Sequence, residues 1–325
     1  MAYSEAVLQR AQTRLEQARQ QHDEETRSRI AAIYAQQPRL KEIDTKLRQT
    51  AARVMAVSFR RGEDPSQAME ALRKENLALQ QEREWILESN DIDPDDLDDA
   101  PICPNCGGRG YVGAVMCDCL RELCRQEQKK ELSQILGIGR ESFERFQLDY
   151  YPAEYDPDLG ASPRELMKRV YERAVRYAQT FTPAAGSMLF MGATGLGKTF
   201  LSACIAKAVA ERGFSVCYVS SETMFADFEQ QKFRPREGED LTRKYLGCDL
   251  LILDDLGTEM TTQFTIAALY QVVNTRLMEN RATIVSTNLP VGDLDRRYSA
   301  QIASRLLGAY TMMKFCGNDI RLLQK

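Results

Sequence analysis

Residues 187–199 read SMLFMGATGLGKT. The opening run is short, apolar and rich in β-forming residues, and the last eight residues match G-x-x-x-x-G-K-[ST]. A strand leads into the motif and an apolar-periodic helix leaves it, which is the context in which this pattern binds phosphate. Gly195 and Gly197 let the backbone curl so that amide hydrogens converge on phosphate oxygens. The N-terminus of the following helix adds partial positive charge. Lys198 is placed to reach the β- and γ-phosphates, and Thr199 to offer its hydroxyl to Mg²⁺. Gly192, Ala193, Thr194, Gly195, Leu196, Gly197, Lys198 and Thr199 are therefore the candidate ATP-binding residues.

Working outward, further short apolar runs occur at 215–220 (SVCYVS), 249–255 (DLLILDD), 282–288 (ATIVSTN) and 311–317 (TMMKFCG). Helical patterns separate the first four runs, which predicts a parallel sheet covered on both faces. In LLILDDLG, 250–257, four apolar residues carry a strand to its carboxyl end, where ligands sit in open α/β sheets. Asp254 is the candidate Mg²⁺ ligand, and Asp255 the candidate that orients or deprotonates water. The bland alternative for Asp255 is a strand-end cap. Asn288, ending the next strand, offers an amide to the γ-phosphate or the water; its alternative is a turn former before Leu-Pro.

The chain has 325 residues, more than one core usually serves, so two or more structural units are expected. No apolar run approaches the roughly 18 residues that span a bilayer, and the first residues lack the pattern of a signal peptide, so a cytoplasmic protein is expected. The net charge of −4 argues against a general basic nucleic-acid coat. A single histidine, His22, in a polar helical stretch, nearly excludes chemistry built on a histidine base. Residues 1–90 read as a helical partner-binding region, or as a purely structural hairpin. Leu8, Ala11, Leu15 and Ala18 form one stripe; Leu40, Ile43, Leu47, Val54 and Val57 fit a heptad seam; Met69, Leu72, Leu79 and Ile86 mark a third helix. RGEDPS, 61–66, is read as a turn, and the aspartate-rich 91–100 as a solvated acidic linker.

Residues 101–139 hold a cysteine cluster and a connecting helix expected to end at Gly137. Cys103, Cys106, Cys117 and Cys119 are spaced C-x2-C, ten residues, C-x-C. Two close pairs across a glycine-containing loop suit tetrahedral Zn²⁺ on thiolates; a redox pair is the rival, leaving the second pair unexplained. Cys124 is a spare ligand candidate. The loop carries one basic residue, Arg109, and has no room for a recognition helix, which speaks against a DNA finger. Cys204, Cys217, Cys248 and Cys316 are read as small hydrophobes. Farther on, Phe225, Phe228 and Phe233 alternate with Lys232, Arg234 and Arg236. Aromatics beside cations can track single-stranded DNA, so Lys232, Phe233 and Arg234 are candidate contacts. The alternative buries Phe225 and Phe228 in the core.

The order of GATGLGKT, LLILDDLG, TIVSTNL, RRYSAQIASRLLG and FCGNDIRLL resembles the AAA+ superfamily, and within it the helicase loaders of the DnaC/DnaI type and their IstB relatives. The resemblance covers about residues 100–325. It implies an AAA+ P-loop αβα sandwich over 140–325 with a five-stranded parallel sheet and little or no lid, preceded by the zinc knuckle and the all-helical region. It implies that Arg305 is an arginine finger reaching the γ-phosphate of a neighbouring subunit in a head-to-tail assembly, with Arg297 as runner-up and a structural ion pair as the alternative. Arg321 is a further candidate for sensing nucleotide, and Tyr150 or Tyr151 for packing near the adenine. The implied function is ATP-dependent loading of a hexameric replicative helicase through the N-terminal helices, with single-stranded DNA as a further partner and no membrane. An IstB-like helper of a transposase, and a zinc-bearing adapter with little ATP turnover, are the other readings.

Overall fold

A stretch without Gly or Pro folds as one long helix, α1 (Glu5–Gln36), and Pro38 starts α2 (Pro38–Arg48), its ring preset for a first helical turn. α3 (Thr50–Ser58) and α4 (Pro65–Ser89) follow. The computed structural model describes residues 3–58, 65–135, 141–235 and 240–322. It divides into two compact units, one of residues 14–117 and one of residues 1–13 with 118–325.

The smaller unit has its own core. Leu40 and Ile43 of α2 pack with Leu79, Ile86 and Leu87 of α4. Asp44, 8% exposed, accepts hydrogen bonds from Tyr34 Oη and Arg83 Nε, each at 2.7 Å. Arg39 grips both oxygens of Glu82, and Arg53 both oxygens of Glu75. These exposed pairs add little stability but fix which turns of the helices face each other. The expected heptad seam is interrupted at Gln49, which leaves α2 and α3 as separate helices; Leu47 and Val54 are half-buried, and the Val57 side chain lies outside the described residues. Most of the expected turn at 61–66 lies outside them too. The acidic stretch differs from its reading as a solvated linker. Leu97 is buried in the helical core, and Arg29 holds the carbonyls of Asp96 and Asp98. Leu97, with Ile92 half-buried beside the same core, docks a segment whose aspartates stay exposed. A two-stranded hairpin, β1 (Tyr111–Val112) with β2 (Val115–Met116), completes this unit.

The larger unit opens with α5 (Asp118–Ile135), whose expected end at Gly137 lies outside the described residues. α6 (Pro163–Gln179) starts at a capping box in which Ser162 and Glu165 satisfy each other's backbone N–H. There follow β3 (Ser187–Met191), α7 (Lys198–Glu211), β4 (Val216–Ser220), α8 (Ser221–Phe233), α9 (Arg243–Gly247), β5 (Leu250–Leu256), α10 (Gln263–Met278), β6 (Ala282–Thr287), α11 (Val291–Arg297), α12 (Ala300–Ala309) and β7 (Tyr310–Lys314). The sheet is parallel throughout, in the order β4-β5-β6-β3-β7. All five expected strands are present. Alternation sorts their side chains: Met188, Phe190, Leu250, Ile252 and Ile284 face α6 and α7, while Leu189, Leu251, Leu253 and Val285 face α8, α10 and α12. Both faces are covered, which is why the strands read as unbroken apolar runs. The free side of β4 is closed by Gln128 of α5, which donates to Phe214 O at 2.8 Å and accepts from Val216 N–H at 3.0 Å.

Arg276 of α10 is fully buried, and the sequence reading did not single it out. Its guanidinium donates to Tyr245 O (2.8 Å), Cys248 O (3.0 Å), Ala282 O (2.6 Å) and Thr283 Oγ1 (2.9 Å). It thus satisfies carbonyls where the chain enters β5 and β6. Replacing it by alanine strands several buried acceptors at once. Arg276→Ala is expected to cost at least about 3 kcal/mol, read as a lowered urea midpoint, whereas the exposed-pair variant Arg53→Ala leaves the midpoint nearly unchanged.

Candidate nucleotide site and cysteine cluster

Each side chain of the candidate site stands at the carboxyl end of a strand. β3 delivers the loop from Gly192 to Thr199. Two positions in it admit only glycine. Gly192 has φ 153°, and a β-carbon there would lie 2.5 Å from Phe315 O; Gly195 has φ 75°, and its β-carbon would meet the Asp319 carboxylate. The loop is held from behind: Tyr151 Oη donates to Leu196 O at 2.9 Å, and Ile320 N–H to Gly195 O at 3.0 Å. Lys198 is 5% exposed and donates to the carbonyls of Gly192 and Ala193, each at 2.7 Å. Burial holds its ammonium below the ordinary lysine pKa, offset in part by Asp255 and Asp254 and reinforced by Arg321.

β5 delivers the two carboxylates. Asp254 is 6% exposed, and both its oxygens accept from hydroxyls: Tyr218 Oη of β4 at 2.6 Å, and Ser286 Oγ of β6. Burial first, then the neighbouring carboxylate, keeps the Tyr218 phenol protonated and thus a donor. Asp255 stands on the irregularity where the β5–β6 register shifts, with φ 54°, a left-handed conformation that a non-glycine residue adopts at a cost. Its N–H donates to Ser286 Oγ at 2.9 Å. Burial and the adjacent Asp254 raise its pKa above the usual aspartate value, against the pull of Lys198 and Arg321. Asn288 is exposed just past β6.

Residues 194–199, Asp254, Asp255, Asn288 and Arg321 line one cavity of about 900 Å³. That is the size of a nucleotide site, and its donor set of loop amides, ammonium, hydroxyl and carboxylate fits ATP with Mg²⁺. Tyr150 and Tyr151 are also in its wall. Arg305 is not. It lies on α12 with its guanidinium 4.6 Å over the Tyr270 ring, donating to Tyr270 Oη, Asn274 Oδ1 and Gln301 O. Arg297 donates to Glu259 O at 2.6 Å. Phe225 and Phe228 are buried, so the bland reading holds for both. Lys232, Phe233 and Arg234 are exposed at the end of α8; Lys232 Nζ lies 5.5 Å from the Phe233 ring centre and 5.2 Å from that of Phe264. Arg236 lies outside the described residues. The hydroxyls of Tyr218 and Ser286 were missed in the sequence; the signal that could have found them is their position on the strands flanking LLILDD.

The sulfurs of Cys103, Cys106, Cys117 and Cys119 lie within 4.8 Å of one another. Zn–S bonds of about 2.3 Å at tetrahedral angles require sulfurs about 3.8 Å apart. Cys103 and Cys117 are separated by 3.8 Å, and Gly110 N–H donates to Cys106 Sγ at 3.2 Å. The donor set fits zinc. Cys124 is outside the cluster, fully buried, with its thiol pKa pushed up to about 11 by burial. It is not a spare ligand.

A P-loop nucleotide-binding αβα domain is the class these observations define. Residues 167–325 match the family described as IstB-like ATP binding protein. The chain is 38% identical over 86 residues to the chromosomal replication initiator protein DnaA of Helicobacter acinonychis, covering 26% of this chain and 19% of that one. It is 23% identical over 172 residues to the replicative helicase loader DnaC of Buchnera aphidicola, covering 51% of this chain and 66% of that one. The chain thus spans about a fifth of the DnaA relative's length and less than two thirds of the DnaC relative's. The crystal structure of DnaI is similar with a TM-score of 0.45 and 22% identity, over 60% of this chain and 100% of that one. Among the described residues no helix is long and apolar enough to cross a membrane.

If the cysteine cluster holds zinc, the protein as purified contains about one zinc per chain, and Cys106→Ser lowers both the zinc content and the thermal midpoint. A chelator that releases no zinc would overturn the assignment.

Proposed function

We propose that this chain is an ATP-dependent loader of a hexameric replicative DNA helicase, acting in replication initiation or restart. The observation that carries it is the joining of phosphate loop, paired carboxylates and strand-end amide in one cavity, in a chain similar to a protein named replicative helicase loader. The separate helical unit of 14–117 supports the partner role: Met55, Leu77 and Trp85 stand exposed on it, the apolar surface a partner would cover.

In this reading Lys198 draws charge from the β- and γ-phosphates, and Thr199 and Asp254 hold Mg²⁺, which neutralises phosphate charge. Asp254 is pre-aimed by its two hydroxyl donors. Asp255 orients or deprotonates the attacking water, and Asn288 bonds the γ-phosphate or that water. Asp255 is one methylene shorter than glutamate, which favours slow turnover suited to a timing device. Arg305 serves the cavity of the next copy in a head-to-tail assembly, and assembly is thereby tied to hydrolysis. ATP binding builds the loading state and hydrolysis ends it. Single-stranded DNA stacks on Phe233 between Lys232 and Arg234. Four thiolates of the cysteine cluster hold zinc as a structural knuckle.

A second reading, an ATPase helper of a transposase, is favoured by the IstB-like match. Native mass measurement of the protein mixed with ATP and either a hexameric replicative helicase or a transposase separates the two. A helicase complex weakened about tenfold or more by Trp85→Ala is expected, and capture of the transposase alone would overturn the loader reading.

Lys198→Ala is expected to weaken ATP binding about 100-fold, the loss of contacts worth about 3 kcal/mol. Arg305→Ala leaves ATP affinity within about twofold and lowers turnover of the assembled protein by about 10³-fold. Equal turnover of the assembled Arg305→Ala protein and the wild type would remove the finger from the mechanism.

A further inference from the structure

Glu259 follows the exit of β5, and its carboxylate is buried, the residue being 8% exposed. Three elements supply its partners. Tyr298 Oη, where α11 gives way to α12, donates to Oε1. Ser221 Oγ, from the first residue of α8, donates to Oε2 at 2.8 Å, and Gly257 N–H to the same oxygen at 3.0 Å. Every one of these donors is neutral. Burial opposes ionisation, but the Tyr298 hydroxyl, the N–H groups of Glu259 and Gly257 and the Ser221 hydroxyl outweigh it and hold the carboxyl below the usual glutamate range. Arg297 donates to the Glu259 main-chain carbonyl and not to its carboxylate, so the buried charge rests on neutral donors, a costly way to fill space.

The same knot reaches the main chain of Asp255, the candidate catalytic residue. Ser221 has one hydroxyl hydrogen and faces two acceptors, Glu259 Oε2 at 2.8 Å and Asp255 O at 3.1 Å. Thr258 Oγ1 donates to Asp255 O as well, at 2.9 Å. The left-handed backbone of Asp255 is thus held at its carbonyl by a hydroxyl that Glu259 competes for. Any change in the Asp255 backbone shifts that hydrogen toward or away from Glu259, and with it the start of α8 and the Tyr298 link to α12. α8 ends in Lys232 and Phe233, and α12 carries Arg305.

We propose that Glu259 is a positioning residue that couples Asp255 to α8 and α12 through Ser221 and Tyr298. This rests on the reading of the cavity as an ATP site. Nucleotide state is passed in two directions from one carboxylate: to the helix whose end is the candidate DNA contact, and to the helix that presents the candidate finger.

Hydrogen exchange of α8 and α12 with and without MgATP tests it in the full chain. In the wild type, MgATP alters protection in both helices. E259Q keeps one acceptor oxygen in place of two, so an amide NH₂ must face either Tyr298 Oη or the pair of Gly257 N–H and Ser221 hydroxyl, and the side chain cannot hold both sides at once. It is expected to bind ATP within about threefold of the wild type, lose the response in both helices and turn over about tenfold more slowly. Tyr298→Phe keeps the carboxylate and removes only the link to α12, so the response survives in α8 and is lost in α12, even if E259Q does not fold. An E259Q protein that responds like the wild type, or an unchanged α12 response in Tyr298→Phe, overturns the coupling. If the wild type binds ATP without any response in α8 or α12, the coupling falls and the ATP site stands. If it binds no ATP, the ATP reading falls and the coupling with it.

Discussion

A carboxylate buried at the end of a central strand must find its hydrogen bonds on the neighbouring strands, and Asp254 finds them in the hydroxyls of Tyr218 and Ser286. These two residues sit on β4 and β6, on either side of β5. The pairing β4-β5-β6 is thus recorded in the site itself as one acid between two alcohols. Register matters as much as order, because a slip of one residue would turn each hydroxyl to the opposite face of the sheet. Ser286 does a second task by accepting the Asp255 N–H, which fixes the strained residue beside the acid it supports.

The opposite edge of the sheet is held by a different device. There side chains bond the carbonyls and N–H groups of the strand entrances. Arg276 collects the carbonyls of Tyr245, Cys248 and Ala282. Asp249 takes the N–H and hydroxyl of Ser215, whose oxygen in turn accepts the Asp249 N–H. Between these polar clamps the middle of β3, β5 and β6 is apolar, as in Leu189, Phe190, Ile252, Leu253, Ile284 and Val285. At the other end Asp255 and the loop glycines leave the common backbone conformations.

Much of this was legible in the sequence. The phosphate loop, all five strands and the four-cysteine cluster rest on local patterns, and local patterns survive folding. The buried Phe225 and Phe228 obeyed the plain helix rule rather than the DNA reading, because apolar rings at helical spacing go to the core first. What stayed hidden depends on residues far apart in the chain. Nothing near Arg276 announces that its partners lie at 245–249 and 282–283. Nothing near Glu259 announces Tyr298 or Ser221. Leu97 is invisible within its run of aspartates, because one apolar residue makes no period, yet it is buried in the helical core.

Arg305 shows how cheaply a proposed trans-acting group can be kept ready. Its guanidinium lies over Tyr270 and is bonded to a phenol, an amide and a helix carbonyl, all at the half-exposed surface of one chain. A cation–π contact in such a place is worth about 0.5–1 kcal/mol, and neutral partners at the surface add little because water replaces them. Among the described residues no carboxylate is one of its hydrogen-bond partners. Moving to the γ-phosphate of an adjoining copy would therefore forfeit little and gain charge-assisted bonds of roughly twice the strength of neutral ones. An arginine parked on acids would resist that transfer; one parked on an aromatic face is oriented and still available. In the proposed assembly the neighbouring copy would decide where the guanidinium goes, with α12 supplying only its aim.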